Sequence, residues 1–233
     1  MPTWEEHKLG APQSPGKYSY VSPADANYFQ PDEIESMFPV PLAFFRLGRE
    51  FTEVEKLAFD HLLGNGSRAN GSNALSADTY IFNKPELLDI ANFCHESLRS
   101  VLRYAYGASQ DADIQITQSW LTYAKLGGSH HMHNHPNSVL SGILYVNTGD
   151  GDGTNFVKIS NGDVVLRYKT IERTKFNVDS ERAEATPGTL VIFPSYVWHV
   201  VYNSKTEGRM SLAFNSFING SIGDVGKIHE LNI

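Results

Sequence analysis

Four of the nine histidines fall within six residues: His130, His131, His133 and His135. On a strand, residues two apart project to the same face. His131, His133 and His135 can therefore face one way, and either adjacent pair can grip one metal ion. Neutral imidazole is the commonest side-chain ligand of transition metals near pH 7. Such a pair takes two neighbouring positions on the ion and leaves others open, so a third ligand must come from elsewhere. His199, in GTLVIFPSYVWHV, is the candidate. Phe193 and Pro194 end one strand, Ser195 and Tyr196 make the turn, and His199 opens the next strand. In a barrel, strands far apart in sequence lie side by side. The competing reading is a set of surface histidines, but four clustered imidazoles and a fifth on a strand point to a metal centre.

The elements that position these residues change character along the chain. Residues 1–38 mix aromatics with Pro, Gly and Ser without a period and read as an irregular arm, pinned in part by Tyr18, Tyr20 and Tyr28. Residues 39–111 read as a strand plus supporting helices of the same domain. VPLAFFRLG (39–47) is the strand. Thr52 is the N-cap of the first helix, with Glu55 completing a capping box ahead of Leu57, Phe59, Leu62 and Leu63. GNGSRANGSN (64–73) reads as a polar loop. A second helix runs from Pro85 to Tyr106, with apolar residues at helical spacing and Gly107 as its stop.

From 112 to 217 short β-rich runs alternate with Gly, Asn, Asp and Pro: IQITQSWLTYAKL, SVLSGILYVN, TNFVKIS, DVVLRYKT, GTLVIFPS, WHVVYN and RMSLAFNSF. Such spacing predicts a sandwich or barrel, with a hairpin turn at Asn161-Gly162-Asp163. Residues 218–233 read as a tail. Trp120 and Trp198 read as core.

Composition narrows the partners. With 233 residues, 41% hydrophobic and 19% charged, the chain can bury a sizeable core. The net charge of −7 argues against nucleic acid or an anionic membrane as partner. The single cysteine, Cys94, rules out an intramolecular disulfide, which suits a reducing compartment. MPTWEEHKLG has neither the basic nor the apolar region of a signal peptide, and no run is long enough to span a membrane. A cytoplasmic location is expected.

The ordered motifs carry a resemblance. His133-Asn-His-Pro136, Ser141-Gly142, Tyr145-Val146-Asn147, Gly188, Phe193-Pro194-Ser195, His199 and Arg209-x-Ser211-x-x-Phe214-Asn215 resemble the 2-oxoglutarate/Fe(II) oxygenases, in a bacterial and phage subfamily. The resemblance spans about 118–217. It implies a mainly β (α+β) fold, a double-stranded β-helix of jelly-roll or cupin-like form, with the N-terminal helices packed outside. It implies Fe(II) on His133, His135 and His199 as the catalytic centre, with 2-oxoglutarate as cosubstrate. Arg209, ten residues after His199, would hold the far carboxylate bidentately, aided by Ser211. Tyr145 and Tyr123 match tyrosines that contact that carboxylate, although both suit core packing equally. Asn215 would line the metal pocket or bond a neighbouring backbone.

One departure stands out. The wider family uses His-x-Asp or His-x-Glu and then His; here His135 takes the carboxylate position. Three neutral ligands leave the site one negative charge short. Asp150 and Asp152, in TGDGDGT, are alternative carboxylates but suit turn positions better. The expected activity is hydroxylation of a small-molecule or peptide substrate by dioxygen. The alternatives are a three-histidine cupin-type dioxygenase without 2-oxoglutarate, and a non-enzymatic jelly-roll binding module. Homo-oligomers are common among β-helix enzymes, though nothing in this sequence specifies one.

Overall fold

The computed structural model describes residues 31–159, 172–224 and 226–232. The DVVLRYKT run (163–170), the turn at 161–163 and the tyrosines of the N-terminal arm lie outside them. Residues 31–39 belong to a separate unit, Met1–Pro39, and contain no helix or strand.

From Val40 onward the chain forms strands β1 (Ala43–Arg46), β2 (Ser67–Asn70), β3 (Asn73–Ser76), β4 (Ala112–Ala124), β5 (His130–His133), β6 (Leu140–Asn147), β7 (Gly153–Val157), β8 (Ser180–Glu184), β9 (Thr189–Pro194), β10 (Trp198–Val201), β11 (Arg209–Ile222) and β12 (Leu231–Asn232). Helices α1 (Glu53–Gly64) and α2 (Leu88–Tyr104) sit between β1 and β4 in sequence. The large sheet runs β1-β9-β6-β11-β4-β3-β2, and the small sheet β5-β10-β7-β8. All ladders between named strands are antiparallel. This is the double-stranded β-helix that the motifs implied.

The strand periodicity decides which layer each side chain joins. Leu140 and Leu144 on β6, Leu190 and Ile192 on β9, and Leu212 and Phe214 on β11 pack toward the helices with Phe59, Leu98 and Leu102. The intervening Ile143, Tyr145, Val191 and Phe193 point the other way, onto Phe156 and Ala183 of the small sheet. Both faces of the large sheet are covered, so β6 and β9 read as continuous apolar runs. Gly142 falls on the helix-side face, where a Cβ would run into the buried Phe214 ring. The Ser-Gly motif thus has a packing reason.

The helix ends form largely as their sequences predict. Thr52 and Glu55 make the reciprocal capping box. Gly107, at φ 63, closes α2 with its N–H on the Arg103 carbonyl. Pro85 opens a single 3₁₀ turn (Pro85–Leu87), and the α-helix itself starts at Leu88. The stretch 64–73 is not a loop: β2 and β3 form a hairpin around Gly71, which takes φ 66. Its Asn-Gly turn is a hairpin signal, masked by strands too polar to alternate. At the other end β11 runs past 217 to Ile222, where β12 returns to pair with it. Among the described residues no helix is long and apolar enough to cross a membrane.

Candidate active site

His133 and His199 are direct partners across the β5–β10 ladder. His135 lies just past β5, and its backbone N–H donates to the Ser195 carbonyl at 2.9 Å. The fold thus brings His133, His135 and His199 together, with one ring nitrogen of each within 4.8 Å of the others. Among the described residues, only histidines form such groups; no Asp or Glu joins them.

The hydrogen bonds select the nitrogens that face the centre. His133 Nδ1 lies 2.7 Å from the His131 carbonyl, and His199 Nδ1 lies 3.2 Å from the Val197 carbonyl. A carbonyl only accepts, so both Nδ1 atoms carry the proton and both Nε2 lone pairs are free. His135 Nε2 then lies 3.3 Å from His199 Nε2. Imidazoles whose distal N–H is held by a backbone carbonyl, and whose Nε2 atoms converge, are the usual ligand set of a metal site. Burial pushes the His199 pKa down to about 2 and that of His135 to about 4, and lowers that of His133. Repulsion among the neighbouring imidazoles adds to each shift. All three rings are therefore neutral near pH 7, the form a metal takes. The residues fit a divalent transition ion.

A buried network fixes this turn. Ser195 Oγ bonds Ser138 Oγ at 2.7 Å and Ser141 Oγ at 2.8 Å, and Ser141 Oγ donates to Asn215 Oδ1 at 3.0 Å. The serines of the Ser-Gly and Phe-Pro-Ser motifs thereby tie β6, β9 and β11 to the segment bearing His135. Asn215 stands next to His135, where it favours the protonated ring, but its carbonyl oxygen is committed to Ser141.

The wall opposite the small sheet comes from one face of β4 and β11. Arg209 pairs with Ala124, Ser211 with Thr122 and Ala213 with Trp120. Arg209, Ser211, Thr122 and Trp120 line a common cavity with His130, His133, His135, His199 and Thr154. Its free volume is about 30 Å³. Arg209 is only 2% exposed, and its Nε has no hydrogen-bond partner among the described residues. Nor does its guanidinium form an ion pair within 4.0 Å of any described carboxylate. Burial lowers its pKa, against the pull of Tyr145 and Asp152.

The two tyrosines separate. Tyr145 is fully buried and its hydroxyl donates to Thr154 Oγ1 at 2.9 Å, while Arg209 sits 5.9 Å from its ring centroid. Tyr123 is paired with Met210 and Ala74 on the opposite face of β4 from Thr122, so it does not line the cavity. Trp120, expected in the core, instead stacks on His135 at 5.8 Å and lines the cavity. Trp198 borders a separate apolar cavity of about 560 Å³ behind Phe156 and Phe193, whose rings stand between it and His199. Sequence reasoning missed Thr122, Thr154 and His130 as lining residues. The parity of Arg209 and Ser211 points to Thr122 once the β4–β11 register is known.

Asp152 is held by its own loop. Its carboxylate accepts the N–H groups of Lys205 (2.8 Å) and Gly149 (3.1 Å) and the Ser204 hydroxyl (3.3 Å). It acts as a turn clamp, in keeping with its loop sequence.

Residues 118–215 match the model of the family described as "Putative 2OG-Fe(II) oxygenase". Solved structures share the fold. The non-heme alpha ketoglutarate dependent epimerase SnoN from nogalamycin biosynthesis matches with a TM-score of 0.56 and 13% identity, over 81% of each chain. The carbocyclase SnoK from the same biosynthesis matches at 0.54 and 14%, over 76% of this chain and 79% of its own. HygX from Streptomyces hygroscopicus, solved with nickel, 2-oxoglutarate and hygromycin B, matches at 0.50 and 10%, over 76% and 82%. No curated protein matches the sequence.

Proposed function

We propose that this 2OG-Fe(II) oxygenase, with its family match at residues 118–215, is a hydroxylase that binds Fe(II) through His133, His135 and His199 and 2-oxoglutarate through Arg209. The reaction consumes 2-oxoglutarate and dioxygen, releases succinate and carbon dioxide, and places the second oxygen atom in a C–H bond of a small molecule or peptide. The iron with its cosubstrate supplies the oxidising power; the protein's share is binding, orientation and electrostatics.

The single observation that carries this reading is the buried Arg209, which has no ion-pair partner among the described residues. An isolated buried charge costs several kcal/mol unless a partner completes it. The missing partner is an anion that enters the same cavity as three neutral imidazoles. A dicarboxylate that reaches from the histidines to the guanidinium answers both demands. Ser211 and Thr122, neighbours on the same face, offer hydroxyls beside it. Tyr145 supports the guanidinium from below through its ring, with its hydroxyl turned to Thr154.

The all-histidine trio favours a second reading, direct substrate binding at a three-histidine iron without 2-oxoglutarate. Arg209 supports the oxoglutarate reading; in the second reading it would meet the charge of a directly bound anionic substrate. Anaerobic titration of the apoprotein with Fe(II) and then 2-oxoglutarate separates the two. A visible charge-transfer band that needs both additions supports the oxoglutarate reading. Iron binding with no such band overturns it.

A further inference from the structure

A second group of imidazoles overlaps the first. His130, His131 and His133 each offer a ring nitrogen within 4.8 Å of the others. We propose that these three form an outer metal site, where a divalent transition ion first binds before passing to the inner trio through the shared His133. The outer site stands on its own residues; the transfer inward rests on the reading that His133, His135 and His199 hold the working ion.

The two trios form a gradient of exposure. His131 is exposed, His130 and His133 are half-buried, and His199 is 3% exposed. An ion from solvent therefore meets His131 before it can meet His199. The rings are already assembled: His130 stacks on His133 at 4.2 Å, and His131 stands 5.1 Å from each. The Asn70 carboxamide, at the β2–β3 turn, stands with Nδ2 3.0 Å from His130 Nε2. The same turn grips the next residue, with Ser72 Oγ bonded to the Ser129 backbone and hydroxyl. With its carboxamide oxygen turned to that nitrogen, Asn70 accepts the Nε2–H and leaves the His130 Nδ1 lone pair for an ion, the way outer partners orient histidine ligands.

Sharing His133 gives the arrangement its logic. Its Nδ1 proton is committed to the His131 carbonyl, so it has one lone pair, on Nε2. That lone pair serves one ion at a time. An ion can exchange His131 and His130 for His135 and His199 while keeping His133, so it never passes through a ligand-free state. Three neutral imidazoles suit Zn, Ni, Co or Cu as readily as iron.

Co(II) is the probe, added to the full-length apoprotein and followed by visible absorption at equilibrium and by stopped flow. Circular dichroism checks that His131→Ala, His199→Ala and the double variant fold. His131→Ala should load Co(II) more slowly than the wild type, with the equilibrium affinity of the inner trio unchanged. His199→Ala should keep a weaker Co(II) site that the double variant loses. Wild-type loading rates in His131→Ala, or a double variant identical to His199→Ala, overturn the outer site and leave the inner one standing. If His199→Ala binds as tightly as wild type and only His131→Ala weakens binding, the outer site stands and the inner assignment falls. No Co(II) binding to the wild type overturns both.

Discussion

The two sheets of the barrel do different work. The large sheet is apolar on both faces, is braced by α1 and α2, and presents Arg209 and Ser211 on its longest strand. The small sheet has four short strands and carries His133 on β5 and His199 on β10. A buried cation with no partner among the described residues is tolerable only where the surrounding packing can offset it, and the large sheet supplies that packing. The proposed metal ligands place a different demand on the small sheet: neutral rings, correct tautomers and an opening to solvent. One sheet stores electrostatic strain and the other stores geometry.

The largest expected effect breaks the large sheet's half of the site. Arg209→Met removes the guanidinium and keeps an apolar stem. Hydrogen bonds to charged groups contribute about 1.5–3 kcal/mol each. Loss of a bidentate pair should therefore weaken 2-oxoglutarate binding by about 100-fold or more. Fe(II) affinity should be unchanged, because the proposed ligands lie on β5, on β10 and in the turn after β5. The apoprotein should become more stable, by about 1–4 kcal/mol on the precedent of buried charges replaced by hydrophobic residues. Isothermal titration and thermal unfolding read the two effects. A variant that binds 2-oxoglutarate normally removes Arg209 from the scheme.

Acid should test the small sheet. His199, His130 and His135 titrate in the folded apoprotein near about 2, 3 and 4, against an ordinary value of 6.5. Below pH 6.5 the unfolded chain takes up protons that the folded chain refuses. Stability conferred by these groups is thus present above 6.5 and is lost as pH falls toward 4. The Tm of the apoprotein should drop between pH 7 and pH 5, and His199→Asn should flatten that slope. A slope unchanged in His199→Asn would mean that His199 is not held neutral by burial.

Gly142→Ala sharpens the comparison from the helix side. The added methyl meets the Phe214 ring, which is fully buried and tilted against Phe82 at 5.8 Å, so it cannot move aside freely. Overpacking of this kind costs about 1–3 kcal/mol. Thermal unfolding should show the loss, with Co(II) affinity of the folded protein preserved. Metal loss in step with stability would mean that the two sheets do not separate as argued.

Residue type and strand parity made much of this legible before the fold was known. The histidines announce themselves by number and spacing, and Arg209 and Ser211 share a face on any straight strand. The capping box at Thr52 and Glu55 is local chemistry and needs no tertiary context. What escaped depends on register. Tyr123 and Thr122 differ by one position, and only the pairing of β4 with β11 shows that Thr122 faces the cavity. Tyr145 lies on the inward face, but its hydroxyl partner, Thr154, comes from the other sheet. Trp120 is apolar enough for a core, and its stacking on His135 appears only when β4 meets the turn after β5. The hairpin at 67–76 was hidden because its residues are mostly exposed and polar, leaving the turn as its one signal.

The smallest effect concerns the missing negative charge. Asp152 is the carboxylate that the sequence offers most plainly for a fourth ligand, and it is 3% exposed. Burial works to raise its pKa, but hydrogen bonds from Thr206, Lys205 and Gly149, together with the charge of Arg209, outweigh that and lower it. The carboxylate is therefore ionised for a structural reason. Asp152→Asn should cost about 1–3 kcal/mol, the penalty for leaving buried donors unsatisfied. Fe(II) affinity should match that of the wild type once the protein is folded. Normal stability with lost iron would make Asp152 the absent carboxylate ligand and undo the three-histidine site. Lost stability with intact iron fits the proposed three-histidine site, where a dianionic cosubstrate would supply the charge that a two-histidine, one-carboxylate site draws from an aspartate or glutamate.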